Sequence, residues 1–387
     1  MRDLNTCREA IDEIDGKIIA LLSERRSVAE DIALNKLKEG KSVSDPQREM
    51  QKLAAVMDKA RQAGLPGSFA AAVFRTVMAH TVSCEQRFIV EKLRGKDGGL
   101  RRGTSVAYLG GKGSYSHLAA MRWCDFCTGE IAERGCASFD EIDAAVTSGK
   151  TEYGVLPVEN SSSGSINQVL DVLQGSKAVL VGEIFRPIDH SVLAVKPVAL
   201  SEITDIYSHP QPVEQCSRYL KDFMPGVRVH YTKATSEAME QVQKLGDPHC
   251  AAIASHHSGQ YFGLVPVMDN ISNNIHNYTR FVVISMTPVT IPETVPAKTS
   301  LSFTVAKYTP GSLISVLEEF SSRKLNLDKL TSRPRLASGH DTWEEIFFAD
   351  VQANLSSNAM QEALSKVREH TSSLKILGCY EADERHG

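Results

Sequence analysis

Two short polar stretches near the middle of this 387-residue chain hold residue types able to grip a small anion and move a proton. Gly154 to Ser165 (GVLPVENSSSGS) places Glu159, Asn160 and Ser161 just after an apolar run. Tyr278, Thr279, Arg280 and Phe281 open another such run. Runs of β-branched and apolar residues of this length read as strands, so both stretches lie at strand ends. Open α/β sheets bind their ligands at strand ends. The plainer alternative for the first stretch is a polar loop capping a helix over 166–173.

A second set of charges lies in the first 94 residues. Leu4, Cys7, Ile11, Ile14, Ile18, Leu21, Val28 and Ile32 keep the 3,4 spacing of one long helix with a coiled-coil-like seam. Arg25 falls where that seam expects an apolar residue, and a buried arginine needs an anion beside it. Lys36 lies about 16 Å further along nearly the same face. Arg8 is roughly 26 Å from Arg25 along a continuous helix, so one small molecule can meet both only if Arg8 comes from a second subunit. Asp45 as N-cap and Pro46 in the first turn open a second helix that ends at Gly64. A third helix runs from Ser68 to about Arg94. Arg48 and Glu49 lie in the second helix's first turn, while Thr81 and Glu85 share a face of the third. A solvated helix surface is the alternative for these charges.

The elements that must carry these residues point to a multidomain chain, since one core seldom spans such a length. Hydrophobic content of 42% supports a folded chain, and the formal net charge of −4 gives no basic field for nucleic acid or an anionic membrane. The charged N-terminus lacks a secretory signal and no apolar run spans a bilayer, which leads us to expect a cytoplasmic location. The eight cysteines are scattered and expected as reduced thiols; Cys124 and Cys127 form a lone C-x-x-C without a second pair to complete a zinc site.

Residues 95–104, glycine-rich and charged, read as a linker. Over 105–287 strands and helices alternate, among them 106–109, a helix from about Ser116, a capping box at Ser138 and Glu141, and the strand 153–158, then a second set from 203 to 254. That rhythm predicts a two-lobed α/β domain with mainly parallel strands, the chain crossing near 184–195 and returning near 264–281. Gly110, Gly111, Lys112, Gly113 and Ser114 fall short of a complete phosphate-binding motif. Residues 298–381 give an α+β domain of order βαββαβ, a common small fold that implies no function by itself.

Taken together, these segments resemble known families in series. The spacing of Arg8, Arg25, Lys36, Asp45, Arg48 and Glu49 over 1–94 is similar to the all-helical class of chorismate mutase, an intertwined dimer. That resemblance implies that Arg8 of the partner, Arg25 and Arg48 hold the two carboxylates of chorismate, that Lys36 faces its ether oxygen, and that Asp45 and Glu49 hold its hydroxyl, with Thr81 beside them. Where a glutamine is common in bacterial members, the alignment places Glu85, which can donate to the ether oxygen only when protonated. A one-residue slip to Gln86 is the competing alignment.

Glu159, Asn160 and Ser161 with Thr279, Arg280 and Phe281 resemble the signature motifs of prephenate dehydratase. The glycine stretch through Tyr115 and Ser116, with Gly111 in place of a commoner proline, and the segment YSHPQPVEQC, with Ser208, His209, Gln211 and Gln215, match further motifs of that family. The resemblance implies a site lined by Asn160, Ser161, Ser208 and Gln215. Thr279 would stand at the leaving hydroxyl, Glu159 or His209 would be the other candidate proton sources, and Arg280 would be a carboxylate clamp or a structural ion pair.

The last domain resembles a phenylalanine-binding ACT domain. Gly311, Ser312 and Leu313 match its helix-opening motif; Ser332, Arg333 and Pro334 match most of its second motif, in which Thr331 replaces the usual glutamate. The serial order is that of the bifunctional enzymes of phenylalanine biosynthesis. It implies conversion of chorismate to prephenate and then phenylpyruvate without a cofactor or metal, phenylalanine as effector, and a homodimer or higher homo-oligomer. The alternative is a dehydratase whose helical segment is mainly a dimerisation arm.

Overall fold

The structure, a computed structural model, describes residues 3–43, 45–93, 101–125, 127–274, 276–293, 295–306, 309–336 and 343–382. The chain divides into two compact units, Met1–Gly99 with Val289–Ala297, and Leu100–Pro288 with Lys298–Gly387.

Helices α1 (Leu4–Glu39), α2 (Pro46–Gln62) and α3 (Gly67–Leu93) are the described helices of the first unit. Their ends follow from side-chain chemistry. Asp3 accepts from the backbone N–H of Asn5 and Thr6, and Asp45 accepts from that of Arg48, so each carboxylate satisfies N–H groups the helix leaves open. Gly40 ends α1 at φ 63°, a left-handed conformation that glycine takes without a Cβ penalty. Helix α1 packs on α3 through the small buried side chains Ala29 and Ala33. Its predicted seam is otherwise open: Leu4, Ile11, Ile14, Ile18, Leu21, Val28 and Ile32 are all at least 43% exposed in the single chain.

The second unit begins with β1 (Arg101–Leu109), α4 (Tyr115–Cys124), β2 (Cys127–Cys136), α5 (Phe139–Thr147), β3 (Tyr153–Asn160), β4 (Gly164–Ser165), α6 (Asn167–Gly175) and β5 (Val179–Pro187). A second lobe follows as β6 (Ser191–Ala194), β7 (Asp205–Ser208), α7 (Pro210–Gln215), α8 (Ser217–Phe223), β8 (Arg228–Tyr231), α9 (Thr235–Leu245), β9 (Cys250–Ala254), α10 (His256–Gly259) and β10 (Val265–Met268). Strand β11 (Tyr278–Ser285) returns to the first lobe. The chain then forms β12 (Ala297–Val305), α11 (Ser312–Ser321), β13 (Leu327–Leu336), β14 (Trp343–Val351), α12 (Asn358–His370) and β15 (Thr371–Glu381).

Among the described residues, the first lobe and the C-terminal strands share one sheet of order β13-β14-β12-β15-β5-β11-β3-β1-β2, with β4 on β3. The second lobe is a sheet of order β10-β6-β9-β7-β8. Both sheets are mixed, which corrects the expectation of mainly parallel strands. Strand β11 runs antiparallel to both β3 and β5, and β6 runs antiparallel to β9 and β10. A chain that leaves one lobe and comes back must re-enter it in the reverse direction, which the alternating rhythm of strands and helices does not reveal. Strand β1 also starts at Arg101, inside the stretch expected as linker, and residues 95–100 lie outside the described residues.

Among the described residues, the strand pairing that joins the lobe to the C-terminal strands is one parallel register pair, Gly378 against Leu180. A Cβ on Gly378 would stand 2.2 Å from the Leu180 carbonyl oxygen and 2.7 Å from its nitrogen. Backbone cannot yield as a flexible side chain can, so Gly378→Ala is expected to force the strands apart at a cost of about 1–3 kcal/mol. Thermal denaturation checks this; an unchanged midpoint would show the joint to be dispensable. No helix of the described residues is long and apolar enough to cross a membrane.

Candidate active sites

Strands β3 and β11 bring the two polar stretches side by side. In their register Thr279 faces Asn160 and Arg280 faces Glu159. Directly opposite residues share a sheet face and successive residues alternate, so Asn160 and Thr279 point to one side, Glu159 and Arg280 to the other. The register then skips from Arg280–Glu159 to Phe281–Pro157, a bulge beside the site. Pro157 has no N–H to give to the ladder, and a bulge is where a sheet tolerates that loss.

Asn160 is fully committed. Its amide nitrogen donates to Thr279 Oγ1 (2.9 Å) and Asn277 Oδ1 (2.8 Å), while its amide oxygen accepts from the N–H groups of Ser162 (2.9 Å) and Ser163 (3.0 Å). Ser161 is tied in too: its hydroxyl accepts from Tyr278 N–H (2.9 Å). Because Thr279 Oγ1 accepts from Asn160, its own hydrogen is left to donate, and among the described residues no acceptor takes it. The result is a buried, oriented hydroxyl donor, 7% exposed.

The cation on this face is not the one the sequence indicated. Arg186 of β5 is the register partner of Thr279 on the other side of β11 and so shares its face. Among the described residues its Nε is buried without a hydrogen-bond partner, and burial pushes the guanidinium pKa down against the opposing pull of Asp189.

Arg280, by contrast, is neutralised within the protein. It donates from Nε to Glu183 (2.8 Å), from Nη1 to Asp350 (2.5 Å) and from Nη2 to the Tyr380 hydroxyl (2.9 Å). Lys298 adds a second cation on Glu183 at 2.8 Å. Burial works to raise the Asp350 carboxyl pKa, but the Arg280 guanidinium and the Ser300 hydroxyl outweigh it and hold it below the ordinary value. Of the two expected roles for Arg280, the structural ion pair is the one present.

Three further residues of the expected site have partners or burial of their own in this geometry. Glu159 is turned from Thr279 and pairs with Lys329 at 2.9 Å. Phe281 is 1% exposed and fills the core. Ser208 is fully buried and donates to the Ile253 carbonyl at 2.8 Å.

The second lobe contributes a neutral chain near the crossing point. His190 lies 2.8 Å from Gln215 through Nε2 and 2.9 Å from the Tyr115 hydroxyl through Nδ1. Burial lowers the His190 pKa and raises that of Tyr115 well above its ordinary value, so neither ionises near neutrality. His209 caps α7, its Nδ1 accepting from Gln211 N–H, which leaves the proton on Nε2. The glycine loop after β1 packs on the second lobe: a Cβ on Gly113 would meet Phe262 at 2.8 Å.

In the helical unit, Lys36 donates to Glu85 at 2.8 Å and to the Val43 carbonyl at 2.6 Å. Glu85, rather than Gln86, therefore stands against the lysine. Gln86 is 4% exposed and its amide nitrogen has no hydrogen-bond partner among the described residues. Arg25 donates to the Thr81 hydroxyl and, at 3.4 Å, to the Val77 carbonyl. Asp45 is engaged as the α2 cap, while Arg8, Arg48 and Glu49 lie on helix surfaces around this cluster's elements.

In the C-terminal region, Gly311 precedes α11 at φ 91°, followed by Ser312 and Leu313. Arg333 pairs with Asp171 of α6, its Nε donating at 3.1 Å; Ser332 and Pro334 beside it are exposed. The described residues hold no cluster of three or more His, Cys, Asp or Glu placed to bind a metal.

Two clusters of polar and charged side chains thus stand out, one among the helices and one on the two-lobed α/β unit. Family models described as chorismate mutase type II and prephenate dehydratase match residues 7–86 and 106–288. The bifunctional chorismate mutase/prephenate dehydratase of Escherichia coli K12 is 37% identical over 97% of this chain and 95% of that protein. Among solved structures, a prephenate dehydratase from Arthrobacter aurescens in complex with L-Phe aligns with a TM-score of 0.64 at 24% identity, covering 72% of this chain and 90% of that one. One titled GqqA, a quorum-quenching acylase, aligns at 0.63 and 26% identity, covering 72% of this chain and 98% of that one. The chain belongs to the bifunctional chorismate mutase/prephenate dehydratase family.

Proposed function

We propose that the helical unit rearranges chorismate to prephenate and that the Asn160–Thr279 face of the α/β unit dehydrates and decarboxylates prephenate to phenylpyruvate. The observation that carries the second half is the free hydrogen of an otherwise committed Thr279 hydroxyl. Prephenate loses its ring hydroxyl and carbon dioxide together as the benzene ring forms. A donor at the leaving hydroxyl lowers that barrier, as does a poorly solvated carboxylate. Thr279 supplies the donor, fixed by Asn160, with His209 Nε2–H as the alternative proton source. Arg186 supplies the cation for a substrate carboxylate, the role first expected of Arg280.

Chorismate rearranges through a polar transition state that gathers negative charge on its ether oxygen, so fixed cations and donors there accelerate it. Arg25, Arg48 and a partner subunit's Arg8 hold the carboxylates, Asp45 and Glu49 the hydroxyl, and Lys36, with Glu85 beside it, the ether oxygen. The exposed apolar seam of α1 supports the second subunit, since a stripe of that length on one helix is ordinarily covered. In the reading favoured here, the domains are 1–94, 105–287 and 298–381, the last an ACT domain that takes phenylalanine near Gly311–Leu313 and Ser332–Pro334. The L-Phe complex of the Arthrobacter protein supports that effector. A cytoplasmic location belongs to the same reading.

Variants separate the two centres. Arg25→Ala is expected to cut chorismate turnover by about 100-fold or more while sparing added prephenate, and Asn160→Ala to do the reverse. Separate assays of the two substrates check this; a variant that lowers both equally would place both reactions at one centre.

A further inference from the structure

The residues beside the catalytic pair on β3 and β11 are both held by the C-terminal strands. Glu159 precedes Asn160, and Lys329 of β13 donates to it at 2.9 Å. Arg280 follows Thr279, and Asp350 of β14 and Tyr380 of β15 accept from it at 2.5 and 2.9 Å. These contacts lie on the face opposite to the site. The backbone they hold is the one that aims Asn160 and Thr279. Arg280 also stands 4.0 Å from Glu159, which puts the carboxylate between two cations.

Burial ranks the contacts. The lysine side chain is 14% exposed and the glutamate 39%. A lysine so covered has surrendered most of its hydration, and Glu159 is its charged partner among the described residues. The pairing is also placed where the backbone can move. The bulge between Arg280 and Phe281 breaks the β3–β11 ladder one residue away, and a small cavity lined in part by Val158, Arg280, Lys329 and Asp350 adjoins it. A strand end beside a bulge has fewer ladder bonds to fix it, so outside contacts decide its aim.

We propose that Lys329 is a positioning residue of the dehydratase: by holding Glu159 it sets the β3 end so that Asn160 orients the Thr279 hydroxyl. The inference rests on the reading of Asn160 and Thr279 as the dehydratase centre.

The test uses the full chain with Lys329→Met, Lys329→Gln and Lys329→Arg, each also in an Asn160→Ala background. Lys329→Met and Lys329→Gln are expected to lower kcat for prephenate roughly 10- to 100-fold with KM changed less than about twofold, as for misaimed rather than missing groups. Lys329→Arg should recover most of the loss, and the chorismate rate should not change. In Asn160→Ala the same substitutions should add less than about twofold, because the group they aim is already gone. Unchanged kcat, or an equal loss in the Asn160→Ala background, overturns the proposal. Full prephenate turnover by Asn160→Ala alone instead overturns the assignment of the centre, so the two failures are distinguishable.

Discussion

Thr279→Ala is expected to lower prephenate turnover by about 10²- to 10⁴-fold, the usual worth of a positioned proton donor, with chorismate rearrangement untouched. The size of the effect follows from how completely the hydroxyl is prepared. Asn160 spends both amide hydrogens and both oxygen lone pairs on the surrounding loop, so it cannot rotate to cover for a lost partner. Removing Oγ1 still leaves the Asn160 amide the Asn277 side chain at 2.8 Å and the Tyr278 carbonyl at 3.2 Å as acceptors, so the loss falls on the reaction rather than on the loop. Thr279→Ser keeps the hydroxyl and should retain most of the rate. Steady-state kinetics on prephenate check both variants; an alanine variant with full kcat would remove Thr279 from the reaction.

The second large effect concerns the donor at the helical centre. Lys36 and Glu85 lie 2.8 Å apart in the cluster proposed to meet the ether oxygen of chorismate. A carboxylate there cannot donate and repels the charge that develops on that oxygen, whereas an amide donates and carries no charge. Glu85→Gln is therefore expected to raise the rate of chorismate rearrangement by about 10²-fold, with prephenate turnover unchanged. Steady-state kinetics on chorismate check this; an unchanged rate would show that Glu85 does not limit the step.

Much of this architecture was legible because it is governed locally. Asp45 followed by Pro46 marks the start of α2, and Asp45 accepts from Arg48 N–H as a cap must. Ser138 with Glu141 opens α5, although Glu141 reaches back to the Ala137 N–H rather than that of Ser138. Strand β2 (CTGEIAERGC) escaped the reading because its alternation is interrupted by charges, which an edge strand carries to discourage further pairing. The two motifs of the dehydratase centre could be found from residue type, but not which of their members face the substrate. Period-two alternation already requires Thr279 and Arg280 to point apart. Only the partner strands tell which side is the site. Arg186 was invisible for the same reason: its place opposite Thr279 depends on the β5–β11 register, nearly a hundred residues apart in sequence, and no local pattern encodes that. Lys329 and Asp350 depend in the same way on how the C-terminal strands join the sheet.

The bifunctional account is tested most directly by supplying chorismate alone to the purified chain and following prephenate and phenylpyruvate from mildly acidic to mildly alkaline pH. It predicts that prephenate appears first and is then converted to phenylpyruvate. If chorismate stays intact at every pH while added prephenate is consumed, the helical unit serves assembly alone and the account of two active centres is wrong.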